Sequence, residues 1–281
     1  MPKFSILTSI YLANNPQDRP DRVERFEAAA QSLKDQNFKD FEWVLVDDGS
    51  SLNYDWDKVF DKLPSVNLIR APQNRERVIA LNTALKVSKG EWITFLDSDD
   101  QLKPKAIERM NFRIENNPKY KMFNFGTVYA HKDDTFTFRD PFIPKRLKVG
   151  HEIFGGGNIP NGTFIFNRSI YEDLGGFPGD EEGWVRQVDC TEINYPPYRG
   201  AEKPYVRDLY MGSPYDFSAA AQLEFPEIRK YFMVDHKEEP SGKIIKELGN
   251  SWGQDFYLFF KYTRKYHSKS VKEYLYIINP K

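Results

Sequence analysis

The feature that most constrains this chain is an alternation, through its first hundred residues, between strand-like and helix-like hydrophobic periods. Residues 4–10, 42–46, 66–70 and 91–96 are strand-like runs. Between them, residues 22–36, 55–63 and 78–89 space their apolar side chains for a helix. Val23, Phe26, Ala30 and Leu33 fall on one helix face, as do Trp56, Val59, Phe60 and Leu63. Strands and helices in strict alternation predict an α/β fold, a parallel sheet covered by helices on both faces. Pro64 should stop the second helix, and Gly90 stands where a left-handed C-terminal cap is expected for the third.

After a helix expected over residues 104–116 the alternation fades. Strands are expected at 122–130, 135–138, 163–167 and 274–278, with a glycine loop at 155–157 and a short helix closing at Leu174. Residues 179–214, rich in Pro, Tyr, Gly and charge, are expected to form long loops. Helical patterns return at 217–232, interrupted by Pro226, and at 252–267.

Charge decides what the chain is not. Its 40 basic and 41 acidic residues nearly cancel, which argues against nucleic acid as a partner. No stretch has the roughly 18 uninterrupted apolar residues of a membrane helix. The start, Met1-Pro2-Lys3 followed by one short apolar run, is unlike a signal peptide. The one cysteine, Cys190, excludes an intrachain disulfide framework and suits a reducing compartment. The expectation is a cytoplasmic protein without a membrane span, with peripheral contact to lipid-linked material left open.

Chemistry concentrates where strands end. In an open parallel sheet, ligands bind at the carboxyl ends of the strands. Asp47-Asp48-Gly49-Ser50 ends the second strand and Asp97-Ser98-Asp99-Asp100 the fourth. Each motif alone is ordinary turn or capping chemistry. Together they predict several carboxylates around one crevice, unfavourable unless cations compensate them. Mg²⁺ or Mn²⁺ held by one or two carboxylates completes its shell with phosphate oxygens and water, so the expected ligand is a diphosphate.

At these residues the sequence resembles the inverting glycosyltransferases of family 2, whose nucleotide-binding fold is called GT-A. The resemblance runs in order through residues 4–9, 41–50, 80–85 and 89–100 and covers roughly the first 115 residues. It implies an α/β domain with a mixed central sheet and a Rossmann-like donor half over residues 1–120. Residues 121–281 would form the acceptor and catalytic-base half of the same domain, helical and loop-rich, with an insert at about 179–250.

The resemblance also implies roles. Thr8 and Ser9 would belong to the nucleotide pocket, and Asp48, or its neighbour Asp47, would accept a hydrogen bond from the base, normally uracil. Asp97 would face the ribose or a metal-bound water, Ser98 would lie beside the donor, and Asp99, with Asp97, would hold the metal. Asn74 and Arg75 would contact the donor from a loop. The usual Asn-x-Gly there is Asn74-Arg75-Glu76, and the common Ala-Arg-Asn is Ala80-Leu81-Asn82.

An inverting transfer needs a base for the acceptor hydroxyl. Asp255, early in the 252–267 helix, matches the family's position, and Asp180, Glu181, Glu182, Asp189 and Asp216 are rivals. Trp184 and tyrosines 195, 198, 205, 210 and 215 are candidates to stack on acceptor sugars. Many relatives place a metal-binding His where this chain has Asn279, leaving His267, His236 or water as a third ligand. The expected reaction is metal-dependent transfer from a UDP-sugar to a hydroxyl acceptor, a glycan, as in polysaccharide biosynthesis. A sugar nucleotidyltransferase and a catalytically silent carbohydrate-binding relative are the alternatives; residues 11–16 lack the phosphate loop that the former needs.

Overall fold

The structure, a computed structural model, describes residues 1–13, 21–141, 161–179, 184–189, 206–210, 220, 222–224, 226 and 254–280. Two compact units divide the chain: residues 1–143, 160–176 and 262–281 form one, and residues 144–159 and 177–261 the other.

The first unit opens with β1 (Phe4–Ile10), α1 (Arg22–Lys34), β2 (Phe41–Asp47), α2 (Asp57–Phe60), β3 (Val66–Arg70), α3 (Arg77–Val87) and β4 (Trp92–Phe95). It continues through β5 (Gln101–Leu102), α4 (Ala106–Glu115), β6 (Met122–Ala130), β7 (Phe136–Arg139), β8 (Phe164–Asn167) and α5 (Arg168–Leu174), and closes with β11 (Ser268–Ile278). The sheet order is β3-β2-β1-β4-β8-β6-β11-β5, with β7 paired to β6. β1 is parallel to both β2 and β4, and β2 to β3. β8 is antiparallel to β4 and β6, which turns the parallel sheet into the mixed one expected.

Both faces of the parallel part are apolar because both are covered. On one, Phe4, Ile6, Trp43 and Leu45 pack with Phe26, Ala30 and Leu33 of α1. Phe26 lies edge-on to Tyr54 and Trp56 at 5.8 Å, so the α2 region seals this face with aromatic contacts. On the other, α3 packs on β1 and β2 through a helix whose Val78, Leu81, Ala84 and Leu85 are buried.

Several expectations are corrected. Gly90 is not a left-handed cap: α3 ends in Ser88 with extended backbone, and Gly90 has no positive φ. Its missing Cβ matters for another reason, since one would sit 2.4 Å from the Phe4 and Ser5 backbone. The buried Glu42 carboxylate joins that junction, accepting from Ser5 Oγ at 2.6 Å and Gly90 N at 3.0 Å. The second helix is a single turn, with Lys62 at φ 66° reversing the chain just beyond it.

Residues 179–214 are not all loop. β9 (Trp184–Asp189) and β10 (Val206–Tyr210), in the second unit, form an antiparallel pair with Val206 opposite Asp189 and a bulge between Asp208 and Tyr210. The valines at 185, 188 and 206 favour strand, but the surrounding Pro, Gly and Tyr hid the pattern. β11 begins at Ser268 rather than 274, its polar first half paired in parallel with Met122 to Phe125. β5, unseen in the sequence, exists because Gln101 and Leu102 pair with Ile277 and Tyr276. Also in the second unit at its start, α6 (Gln254–Thr263) forms within the helical pattern read over 252–267. Among the described residues no helix is long and apolar enough to cross a membrane.

Candidate active site

β1 lies between β2 and β4, so the two acidic turns flank its carboxyl end. At the end of β2, Asp47 is buried and does turn chemistry: its carboxylate accepts from Ser50 N at 2.9 Å and Arg70 Nε at 3.2 Å. Ser50 Oγ in turn accepts from Leu12 N at 2.8 Å, tying the turn to the chain beyond β1. Gly49, at φ 73°, is required twice over, because a Cβ there would also lie 2.2 Å from the Gln73 carbonyl carbon. The turn therefore passes directly under the segment that carries Asn74.

Asp48 faces that segment. Its Oδ1 accepts from Arg75 N at 3.0 Å, and the Glu76 amide also donates to its carboxylate. Burial raises its pKa above the ordinary value; the two amides pull it down, while the charges of Glu76 and Asp47 add to the rise. Asn74 Oδ1 accepts from Glu76 N at 3.3 Å. Glu76, which stands where the family pattern has glycine, is held at φ 78° and ψ 150° as the residue preceding α3. That region of backbone space is essentially reserved for glycine, so the loop is strained at this residue.

Arg77, the first residue of α3, sends its guanidinium to the Asp97 carboxylate, with both side chains partly exposed. Thr8 is fully buried, donating to Leu96 O at 2.7 Å and accepting from Trp43 Nε1 at 2.9 Å. It joins β1 to β2 and to the end of β4; its neighbour Ser9 is only partly buried.

The second acidic turn is closed by an Asp100 N to Asp97 O hydrogen bond of 3.1 Å, with Ser98 and Asp99 at its tip. β11 clamps it from beneath. Asp97 N donates to the buried Tyr276 hydroxyl at 3.1 Å, and that hydroxyl also bonds the Asp100 side chain. Asn279 N donates to Asp100 Oδ1 at 3.1 Å and Asn279 Nδ2 to Asp99 O at 2.7 Å, while Gln101 Nε2 donates to Asn279 Oδ1 at 3.2 Å. Gly162 leaves room for the tyrosine, since a Cβ there would overlap its ring. Burial, reinforced by the charges of Asp97 and Asp99, pushes the Asp100 carboxyl up to about 8.

The oxygen donors of Asp97 and Asp99 suit a hard divalent cation, and the charge crowding that raises Asp100 is what such a cation relieves. Among the described residues no three His, Cys, Asp or Glu side chains converge as a ready-made metal cage. Mg²⁺ typically takes only one or two carboxylates, so the pair fits. His267 is excluded as the third ligand. It precedes β11 and Asn279 follows it, which separates them by roughly 30 Å of strand.

Asp255 is the second residue of α6, with its side chain outside the description, as are those of Trp184, Asp189 and Tyr210. Residues 155–157, Asp180, Glu181, Glu182, Cys190, Tyr195, Tyr198, Tyr205, Tyr215, Asp216 and His236 lie outside the described residues, as does most of the helix expected at 217–232. Sequence reading missed Arg77 and Tyr276. A cation opening a helix and a tyrosine inside an apolar run, whose hydroxyl must find a partner if buried, were the available signals.

A mixed sheet whose parallel half presents acidic turns on either side of its first strand defines the GT-A class of nucleotide-sugar-binding folds. The chain belongs to glycosyl transferase family 2, whose sequence profile matches residues 22–175. It is 34% identical over 203 residues to a Haemophilus influenzae protein named as an uncharacterized glycosyltransferase, covering 66% of this chain and 69% of that protein. It is 29% identical to the Staphylococcus aureus poly(ribitol-phosphate) beta-N-acetylglucosaminyltransferase TarP, covering 53% of this chain and 42% of that protein. To the Escherichia coli UDP-Glc:alpha-D-GlcNAc-diphosphoundecaprenol beta-1,3-glucosyltransferase WfaP it is 31% identical, covering 39% and 43%. The chain thus spans less than half the length of the last two relatives.

Proposed function

We propose that this protein transfers a sugar from a nucleotide-diphosphate sugar, a UDP-sugar, to a hydroxyl of a glycan acceptor with inversion at the anomeric carbon. The observation that carries the reading is the pair of acidic turns flanking the carboxyl end of β1, one joined to the loop before α3 through Asp48 and the other to α3 itself through Arg77. The names of TarP and WfaP support a sugar transfer to a glycan-type acceptor, and that of WfaP a UDP-linked donor.

In this reading Asp48 accepts a hydrogen bond from the base, and Ser9, Asn74 and Arg75 border the nucleoside, with Thr8 supporting the pocket from within the sheet. Asp97, paired with Arg77 in the absence of metal and held by the Tyr276 bond to its amide, faces the ribose, with Ser98 beside the donor. Asp97 and Asp99 would hold Mg²⁺ or Mn²⁺, which when bound neutralises charge on the departing diphosphate. Asp255 takes the acceptor hydroxyl proton as the acceptor oxygen bonds to the anomeric carbon and the bond to the diphosphate breaks. Residues 1–120 act as the donor half and 121–281 as the acceptor and base half. The protein works in the cytoplasm, in peripheral contact with membrane where its acceptor is lipid-linked.

Calorimetry with UDP, GDP, CMP and TDP, with and without Mn²⁺, on wild type and Asp99→Ala tests the site. One diphosphate should bind in a metal-dependent way and lose that dependence in the variant. No binding by any nucleotide, or equal binding by Asp99→Ala with metal present, would sink the metal site. Binding without turnover by wild type would instead favour a catalytically silent relative, and turnover surviving in Asp255→Asn would remove Asp255 as the base.

A further inference from the structure

We propose a second binding site, for a phosphate group, at the end of the sheet remote from the acidic turns. β6 and β11 are parallel neighbours with Met122 opposite Ser268. Immediately before those paired residues stand Lys119-Tyr120-Lys121 and Lys265-Tyr266-His267, at the same offset on each strand. The two tripeptides line one cavity of about 480 Å³, within the range of small-ligand sites.

Each tyrosine ring carries two ammonium groups. Lys119 and Lys269 lie 5.3 and 5.2 Å from the Tyr120 centroid, and Lys121 and Lys265 lie 6.0 and 5.9 Å from that of Tyr266. Asp173 compensates one of these charges, pairing with Lys265 at 2.7 Å and accepting from the Tyr266 hydroxyl at 2.8 Å. Lys119 and Lys269 have no carboxylate within ion-pair distance among the described residues, while Lys121 donates to Ser169 Oγ at 3.0 Å and is reached by the Asp173 charge without a direct pair. Like charges gathered around a cavity favour an anion that answers them together.

The cations are all lysines. An arginine fork suits a planar carboxylate, whereas rotatable ammonium groups act as point charges that can surround a tetrahedral phosphate from several sides. The length of β11, roughly 30 Å, separates this cleft from Asn279 and the turn it clamps, so the ligand is not the donor diphosphate. The phosphate comes either from a soluble phosphorylated sugar or polyol, or from the headgroup of an anionic lipid. The inference stands apart from the proposed transfer reaction.

The test uses the full chain without divalent cation: calorimetry with glycerol phosphate and pyrophosphate, and sedimentation with vesicles of phosphatidylcholine alone or mixed with phosphatidylglycerol. The proteins are wild type, Lys119→Gln/Lys121→Gln/Lys269→Gln, and Asp99→Ala, each checked for folding by circular dichroism. Salt-sensitive binding should fall at least about tenfold in the triple variant and persist in Asp99→Ala. Binding of the soluble probes identifies a phosphorylated small ligand, and binding only to phosphatidylglycerol vesicles identifies a lipid headgroup. No binding to either, or wild-type affinity in a folded triple variant, overturns the site.

Discussion

The hydroxyl of Tyr276 accepts the backbone N–H of Asp97 at 3.1 Å, so a fully buried side chain from the last strand of the sheet holds the turn that ends the fourth. Tyr276→Phe keeps the ring and deletes only the oxygen, leaving the Asp97 amide and the Asp100 carboxyl each short of a partner. The expected cost is about 1–3 kcal/mol in urea unfolding, with weaker nucleotide binding. A variant as stable as wild type that binds equally well would show that the clamp does not support the site.

In the proposed metal site Arg77 would compete with the cation for Asp97. In Arg77→Gln the carboxylate loses a partly exposed ion pair worth about 1 kcal/mol, so Mn²⁺ affinity without nucleotide should tighten about fivefold. Titration followed by the manganese paramagnetic signal measures this directly. Weaker binding in the variant would mean that Arg77 orients Asp97 for the metal rather than competing with it.

Glu76 occupies a backbone conformation that suits glycine. Glu76→Gly should stabilise the fold by about 1 kcal/mol, relief of strain outweighing the greater freedom of glycine in the unfolded chain. A lower melting temperature would show that the Glu76 side chain contributes more than its backbone strain costs.

Asp100 sets a pH dependence. Its carboxyl is raised from an unfolded value of about 3.9 to about 8, because burial and then the neighbouring carboxylates oppose its charge. A group raised in this way contributes stability fully below the unfolded value and loses it as pH climbs through the folded one. Metal-free wild type should therefore weaken between about pH 4 and pH 8 relative to Asp100→Asn, whose amide oxygen can still accept from Asn279 N. Parallel stability curves for the two proteins across that window would show Asp100 to be charged in the fold.

How much of this was legible depended on range. β1, β3 and β6 lie where hydrophobic periodicity puts them, because period is a property of residues a few positions apart. β5 and the polar half of β11 were not legible, since those residues are strands only by virtue of partners far away in the chain. The pair β9 and β10 was obscured by turn-forming residues around it. Gly90 shows the same limit: its position after a helix suggested a cap, while the reason for glycine is the passing backbone of β1.

The sequence by itself determined that two acidic turns end separate strands of a parallel sheet, since alternating periods specify such a sheet and strand ends follow from local composition. Only the tertiary structure decided the work of each carboxylate. Asp47 is taken by Ser50 and Arg70, Asp48 by the loop before α3, Asp97 by Arg77, and Asp100 is buried against Tyr276 and Asn279. It also brought two distant Lys-Tyr segments side by side. The physical reason is that charge, hydrogen bonding and burial are set by strand register and packing, which join residues that no local pattern relates.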